Sequence, residues 1–139
     1  MKFYLPVLAI ALLAGCGEQN KVAAPTAATE KMTSIELKDG NKVQLNGELI
    51  ATNRKAIESG EIVQNNLKYK TSKEAALGDV EEKLKALGYA SSQQSTDNPN
   101  TIKYHFIKKS SPTIGTLISE KEENGEKSTR LNLYWQEQQ

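Results

Sequence analysis

Between residues 33 and 52, apolar and polar residues alternate in short runs. The apolar members are Ile35, Leu37, Val43, Leu45 and Leu49. The pairs Asp39-Gly40 and Asn46-Gly47 separate the runs. Because Asp-Gly and Asn-Gly between alternating runs favour tight hairpin turns, this pattern predicts a short β-meander over 33–52.

The next stretch has weaker signals. Residues 53–60 are predicted to form one helical turn closed by Gly60. A further strand is predicted over 61–70, with Ile62, Leu67 and Tyr69 as its apolar members. The alternation is interrupted at Asn65-Asn66, which predicts a β-bulge there.

A helix is predicted over about 72–87. Its apolar residues recur at helical spacing and form one stripe: Ala76, Leu77, Val80, Leu84 and Leu87. Thr71 and Glu74 fit a capping box with Thr71 as the N-cap, and Gly88 followed by Tyr89 fits a Schellman-type C-terminus. Gly78 within the helix costs up to about 1 kcal/mol relative to Ala, which predicts a close contact between helix and sheet.

The C-terminal third predicts a polar loop and three strands. The loop covers 90–101. One face of each following strand is apolar or β-branched: Ile102, Tyr104 and Phe106; Ile114, Thr116 and Ile118; Leu131, Leu133 and Trp135. Asn124-Gly125 should form a tight hairpin between the last two strands. The predicted fold class is α+β, a small two-layer sandwich of one helix on a mostly antiparallel sheet.

The N-terminus has a separate character. Lys2 precedes an apolar run of about 12 residues, which is too short to span a bilayer as a helix. Leu13-Ala14-Gly15-Cys16 follows directly and contains the only cysteine of the chain. These residues resemble the signal peptide and lipobox of bacterial lipoproteins.

This resemblance implies that residues 1–15 are removed and that Cys16 carries a diacylglyceryl group and an acylated N-terminus. More than one acyl chain gives stable membrane attachment. Residues 16–32 would then form the lipidated N-terminus and a flexible tether, and 33–139 a single periplasmic domain. Gly17 stands where inner-membrane lipoproteins of this family carry Asp, which implies export to the outer membrane.

Composition narrows the function. The chain has 18 basic and 17 acidic residues, so loss of Lys2 with the signal peptide leaves a formal charge of zero. The lysines form no basic stripe, which argues against a nucleic-acid partner. A single cysteine rules out an intramolecular disulfide.

Candidate chemistry is sparse. His105 is the only histidine, and its place in a strand predicts a half-exposed side chain. We find no metal-ligand spacing and no nucleophile elbow such as G-x-S-x-G. We therefore expect no cofactor, no metal and no enzymatic activity, although a paired-carboxylate glycosidase is conceivable for an envelope protein.

Tyr134 is the aromatic residue that the predicted core does not use. It alternates with Trp135 and shares a face with Arg130, Asn132 and Gln136. An aromatic residue beside Arg and Asn is typical of protein-binding surfaces, although a rim aromatic residue more often packs on a neighbouring strand. Tyr134, Arg130 and Asn132 are thus the predicted protein-binding residues.

The resulting hypothesis is a non-enzymatic lipoprotein on the periplasmic side of the outer membrane that binds another envelope protein. It could be an accessory subunit of an assembly or secretion system, or an immunity or exclusion protein. The alternative is a lipoprotein that binds a small ligand or peptidoglycan.

Overall fold

The computed structural model describes residues 32–138. The elements are β1 (Thr33–Glu36), β2 (Lys42–Leu45), β3 (Glu48–Ile57), β4 (Gly60–Tyr69), α1 (Lys73–Ala86), β5 (Ala90–Gln94), β6 (Thr101–Ile107), β7 (Ile114–Glu123) and β8 (Glu126–Gln138). β1 and β2 form a separate hairpin. The other strands form one six-stranded sheet in the order β3-β4-β8-β7-β6-β5.

Every strand pair is antiparallel. Helix α1 and the β1–β2 hairpin bury their apolar side chains against one face of the large sheet, in a single hydrophobic core. We call this the covered face and the opposite one the open face. The prediction of an α+β two-layer sandwich with one helix is confirmed.

The core follows the period-2 alternation of the central strands. The fully buried side chains include Leu67, Phe106, Ile114, Ile118, Leu131 and Leu133 from the sheet, Val80 and Leu84 from α1, and Val43 and Leu45 from β2. Burial of apolar area at about 25 cal/mol per Å² is the main favourable term for such a domain. The meander predicted over 33–52 is correct only for its first hairpin, in which β1 pairs with β2. Asn46-Gly47 leads from β2 to β3, but β3 pairs with β4 in the large sheet and not with β2.

The helical turn predicted over 53–60 is wrong. Those residues continue β3 to Ile57, and a two-residue turn then leads into β4, with Ile57 paired with Gly60. The hydrogen bonds to β4 determine this conformation. β3 is an edge strand with mostly exposed side chains, so its sequence shows no alternation of apolar and polar residues that would mark a strand. Gly60 has a φ of 142°, and a side chain there would collide with the carbonyl oxygen of Glu137.

The bulge predicted at Asn65-Asn66 is also misplaced. β4 alternates without a break, and Asn65 occupies a buried position on the covered face. The hydroxyl of Thr52 donates a hydrogen bond to its Oδ1 at 2.8 Å, which partly offsets the burial of an amide. The irregularity lies in the partner strand, where Ile50 is the extra residue between Leu49 and Ala51.

The N-cap of α1 differs from the prediction by one residue, and the C-terminus is as predicted. Ser72, not Thr71, is the N-cap, and its Oγ accepts a hydrogen bond from the amide of Ala75 at 3.2 Å. The C-terminal prediction is confirmed, since the Tyr89 amide donates to the Leu84 carbonyl at 3.0 Å and the Gly88 amide to the Lys85 carbonyl at 2.9 Å.

Two smaller expectations fail. Gly78 has open space where a side chain would begin, so no close helix-to-sheet contact explains this glycine. The predicted loop over 90–101 starts with a strand, β5, which pairs with β6 at the sheet edge. β5 is polar and exposed along most of its length, so its sequence gives no strand signal and β6 determines its conformation.

Candidate functional site

The open face of β8 carries the predicted protein-binding residues. Arg130, Asn132 and Tyr134 point away from Leu131 and Leu133, which are buried in the core. All three are half-buried, because β8 lies inside the sheet between β4 and β7. The prediction that they share one face is confirmed, and the sheet fixes their spacing.

Tyr134 is held in place by a glycine. Gly115 is directly opposite Tyr134 in the β7–β8 pairing. A side chain at Gly115 would collide with the Tyr134 ring, so the ring lies across the glycine backbone. Glycine within a strand often marks such a close approach. The ring therefore packs on a neighbouring strand and still borders the open face.

Arg130 and Asn132 each retain an unused polar atom. Nη2 of Arg130 donates to both carboxylate oxygens of Glu123, at 3.1 and 3.2 Å. Nε of Arg130 and Oδ1 of Asn132 are buried, and neither has a hydrogen-bond partner within residues 32–138. Unpaired buried polar atoms are rare, and each costs about 1–3 kcal/mol. Such atoms point to an interaction that this chain alone does not complete.

A concavity of about 840 Å³ lies where the open face meets one end of the sheet. Its wall includes Ile62, His105, Gly115, Tyr134 and Gln136 of the open face. The β6–β7 connection, residues 110–113, and Lys38 and Asp39 of the β1–β2 turn form the rest of its rim. The volume is within the range of about 300–1,000 Å³ typical of small-ligand sites.

His105, Gly115 and Tyr134 form a row across three neighbouring strands. The Tyr134 ring occupies the space over the central glycine. His105 is half-exposed, as predicted, but its place beside Tyr134 was not anticipated. Part of this arrangement can be read from the sequence. The two-residue Asn124-Gly125 turn sets the β7–β8 register, and that register places Gly115 opposite Tyr134.

Contacts between loops stabilise the rim of the concavity. Nζ of Lys108 lies 3.5 Å from the Asp39 carboxylate and 5.3 Å from the centre of the Tyr89 ring. The backbone amide of Asn41, which donates to Asp39, is the main cause that lowers the pKa of this carboxyl. Burial raises the pKa of Tyr89. The β1–β2 turn is thus joined to the end of β6.

Within 32–138, histidine, cysteine and carboxylate side chains form no group of three or more that could hold a metal ion. Over the same part of the chain, no helix has the length and apolar character needed to cross a bilayer.

The predicted signal peptide, Cys16 and residues 17–31 of the predicted tether lie outside the described residues. Compared with protein-family models, with curated proteins and with solved structures, the chain matches none.

Proposed function

We propose that this chain is a non-enzymatic lipoprotein, anchored through lipid on Cys16 to the periplasmic side of the outer membrane. Its open sheet face binds another envelope protein, either as an accessory subunit of an assembly or secretion system or as an immunity or exclusion protein. The observation that carries the binding role is the row Arg130, Asn132 and Tyr134, with two buried polar atoms that have no partner within residues 32–138.

Binding of a partner offsets a cost that is already present in the free protein. Nε of Arg130 and Oδ1 of Asn132 have almost no accessible surface, so a partner reaches them only after their side chains turn outward. A protein that then supplies an acceptor to Nε and a donor to Oδ1 gains two hydrogen bonds. Tyr134 adds a rigid aromatic anchor, since its ring is already ordered over Gly115. Arg and Tyr at the centre of a patch are typical binding hot spots.

Arg130→Ala and Arg54→Ala form a matched pair of variants that tests this proposal. Each arginine pairs with glutamate on the surface: Arg130 with Glu123, and Arg54 with Glu61 and, at 3.7 Å, with Glu137. Only Arg130 is on the open face of β8. Both variants should therefore unfold at similar denaturant concentrations, whereas only Arg130→Ala should weaken partner binding.

The measurement is affinity purification of the full-length protein from detergent-solubilised envelopes, followed by quantitative mass spectrometry. We expect one protein at stoichiometric yield with wild type and with Arg54→Ala, and a loss of about tenfold or more with Arg130→Ala or Asn132→Ala, the size expected of a binding hot spot. Equal recovery with all variants would disprove the open-face proposal.

The anchor is tested separately. Cys16→Ser should move the protein from the membrane fraction to the soluble fraction, because it removes the sulfur that carries the diacylglyceryl group. Intact mass spectrometry of native protein should show an N-terminal Cys16 with three acyl chains. A free thiol, or a chain that still begins at Met1, would contradict the lipoprotein assignment.

The second candidate function is binding of a small ligand or a peptidoglycan fragment. The volume of the concavity and its mixture of His105, Tyr134 and Ile62 favour it. Isothermal titration with soluble muropeptides tests this candidate. Saturable heat that is lost in His105→Ala would favour the ligand, and absence of heat would leave the protein partner as the better account.

A further inference from the structure

The exposed apolar side chains of the domain are unevenly distributed. Among residues 32–138, four large apolar residues are exposed, and three of them are Met32 at 59%, Leu49 at 41% and Ile50 at 50%. Thr33, next to Met32, donates a hydrogen bond to the carbonyl of Gly47 at 2.6 Å and accepts one from the Leu49 amide at 3.1 Å. These bonds bring the chain next to Met32 to the start of β3, so the three exposed residues lie at one corner of the domain, which we call the apolar corner.

The bulge in β3 contributes to this exposure. Ile50 is the extra residue in the pairing with β4 and has no residue opposite it. Bulges at sheet edges often reorient a side chain. The rest of β3 is polar or small until Ile57, as expected for an edge strand that must avoid aggregation. Two large apolar residues at its start therefore contrast with the remainder of the strand.

The tether ends at this corner. Residues 16–31 connect Cys16 to Met32. Sixteen residues reach at most about 55 Å when extended, and a flexible chain of that length has an r.m.s. span of about 22 Å. If Cys16 carries lipid, the apolar corner is held near the bilayer at high effective concentration. A weak apolar contact is then sufficient to orient the domain.

We propose that the apolar corner inserts into the interfacial region of the membrane and thereby orients the domain. This inference rests on the proposed lipid anchor. Leu49 pairs with Leu67, which in turn pairs with Leu131, whereas the concavity lies near Gln138. Tyr134 and Gln138, which line the concavity, lie three and seven residues beyond Leu131, or about 10 and 23 Å along the strand. The concavity is therefore farther from the bilayer than Arg130, which is level with Glu48 beside the corner.

The charges near the corner predict how the contact is made. The β7–β8 hairpin tip extends beyond the same end of the sheet and carries four glutamates, Glu120, Glu122, Glu123 and Glu126, and two lysines, Lys121 and Lys127. The tip lies on β8 and β7, which are two and three strands from β3, or about 10–14 Å to the side. Glu126 is five residues beyond Leu131, so the tip also extends about 17 Å past the corner along the strand. Bilayers exclude carboxylates, so the domain should tilt onto its β3 edge. The contact should depend on apolar insertion and be insensitive to salt.

An environment-sensitive fluorophore tests the proposal in the mature lipidated protein. Acylated Cys16 has no free thiol, so Ile50→Cys provides a single labelling site for a nitrobenzoxadiazole dye. Control labels are Lys55→Cys, on the same exposed strand, and Glu122→Cys, at the hairpin tip. The protein is reconstituted in vesicles of phosphatidylcholine and phosphatidylglycerol, with and without doxyl-labelled lipid.

We expect a blue-shifted emission at position 50 and quenching by doxyl lipid at least about twofold stronger than at 55 or 122, as for insertion about 5–10 Å deep. High salt should change neither the emission nor the quenching at position 50. Equal quenching at all three positions, in protein whose mass shows the acyl chains, would overturn the apolar-corner proposal alone. A mass without acyl chains would instead overturn the anchor and, with it, this inference.

Leu49→Ser with Ile50→Ser provides an independent check. The acyl chains should still hold this variant on vesicles, while a label at Met32→Cys should lose most of the quenching seen in the otherwise wild-type protein. Retention of that quenching would show that the tether alone brings residue 32 to the bilayer, and would contradict insertion of the corner.

Discussion

The two faces of strand β8 differ although their residues alternate one by one. Leu131, Leu133 and Trp135 are buried under α1 and the β1–β2 hairpin. Arg130, Asn132 and Tyr134 are on the open face, half-buried, with two polar atoms that lack partners among the described residues. The covered face is a largely apolar core in which Nδ2 of Asn65 lacks a partner within residues 32–138. The open face has two such atoms beside an ordered aromatic ring, and departures from the packing rules are typical of functional sites.

The largest expected difference is in the free energy of unfolding, between variants of two neighbouring residues that lie on opposite faces of β8. Leu133→Ala should lower the free energy of unfolding by about 2–5 kcal/mol, because it leaves a cavity in the core. Asn132→Ala should change it by less than about 0.5 kcal/mol, since it also removes the unpaired Oδ1. Urea denaturation monitored by circular dichroism measures both. A large loss in Asn132→Ala would mean that the open face is part of the structural core.

The second test concerns the packed pair on the open face. Gly115→Ala should destabilise the domain by about 1–3 kcal/mol, because the new methyl group collides with the Tyr134 ring. In a Tyr134→Ala background the same change should be neutral or slightly stabilising, since alanine is less costly than glycine in a strand. A double-mutant cycle measures this coupling. Additive effects would contradict the stacking of Tyr134 on Gly115.

The third test concerns the N-terminus of α1, the helix that packs on the covered face. Ser72→Ala should cost about 1 kcal/mol, because the amide of Ala75 loses its side-chain acceptor. Thr71→Ala should cost less than about 0.5 kcal/mol, since the carbonyl that accepts from Thr129 is retained. Thermal unfolding of both variants distinguishes the two caps. If Thr71→Ala costs more stability than Ser72→Ala, Thr71 is the N-cap, as the sequence predicted.

The smallest expected effect depends on pH. Lys85 and Ser91 donate hydrogen bonds to Glu81 and lower the pKa of this carboxyl. A lowered pKa in the folded state stabilises the protein above the unfolded-state pKa of about 4.3, and this contribution is lost as the pH falls through the folded-state pKa. Glu81→Gln should therefore cost a few tenths of a kcal/mol at pH 7, and the difference should shrink in acid.

Sequence patterns predicted the elements that bury apolar surface and missed those that do not. The stripe of α1, Gly88 at its end and the alternation of β6 to β8 all reflect packing against the core. Residues 53–57 and 90–94 form edge strands with mostly exposed side chains. Their conformation depends on hydrogen bonds to a neighbouring strand, so no hydrophobic period marks them.

The candidate site was predictable only in part. Alternation placed Arg130, Asn132 and Tyr134 on one face, and the structure agrees. The contact of Tyr134 with Gly115, the proximity of His105 and the apolar corner depend on strand register and on the bulge at Ile50. Pairings between strands distant in sequence determine these features, and a single-strand pattern does not contain that information.

Site-specific photo-crosslinking in living cells tests the central claim most directly. A photoreactive amino acid at Asn66, which neighbours Asn132 on the open face, is compared with one at Glu82, exposed on α1. We predict a crosslink from position 66 to one envelope protein that disappears when Arg130→Ala is added, and no such product from position 82. The same product from both positions, or none from position 66, would contradict binding through the open face.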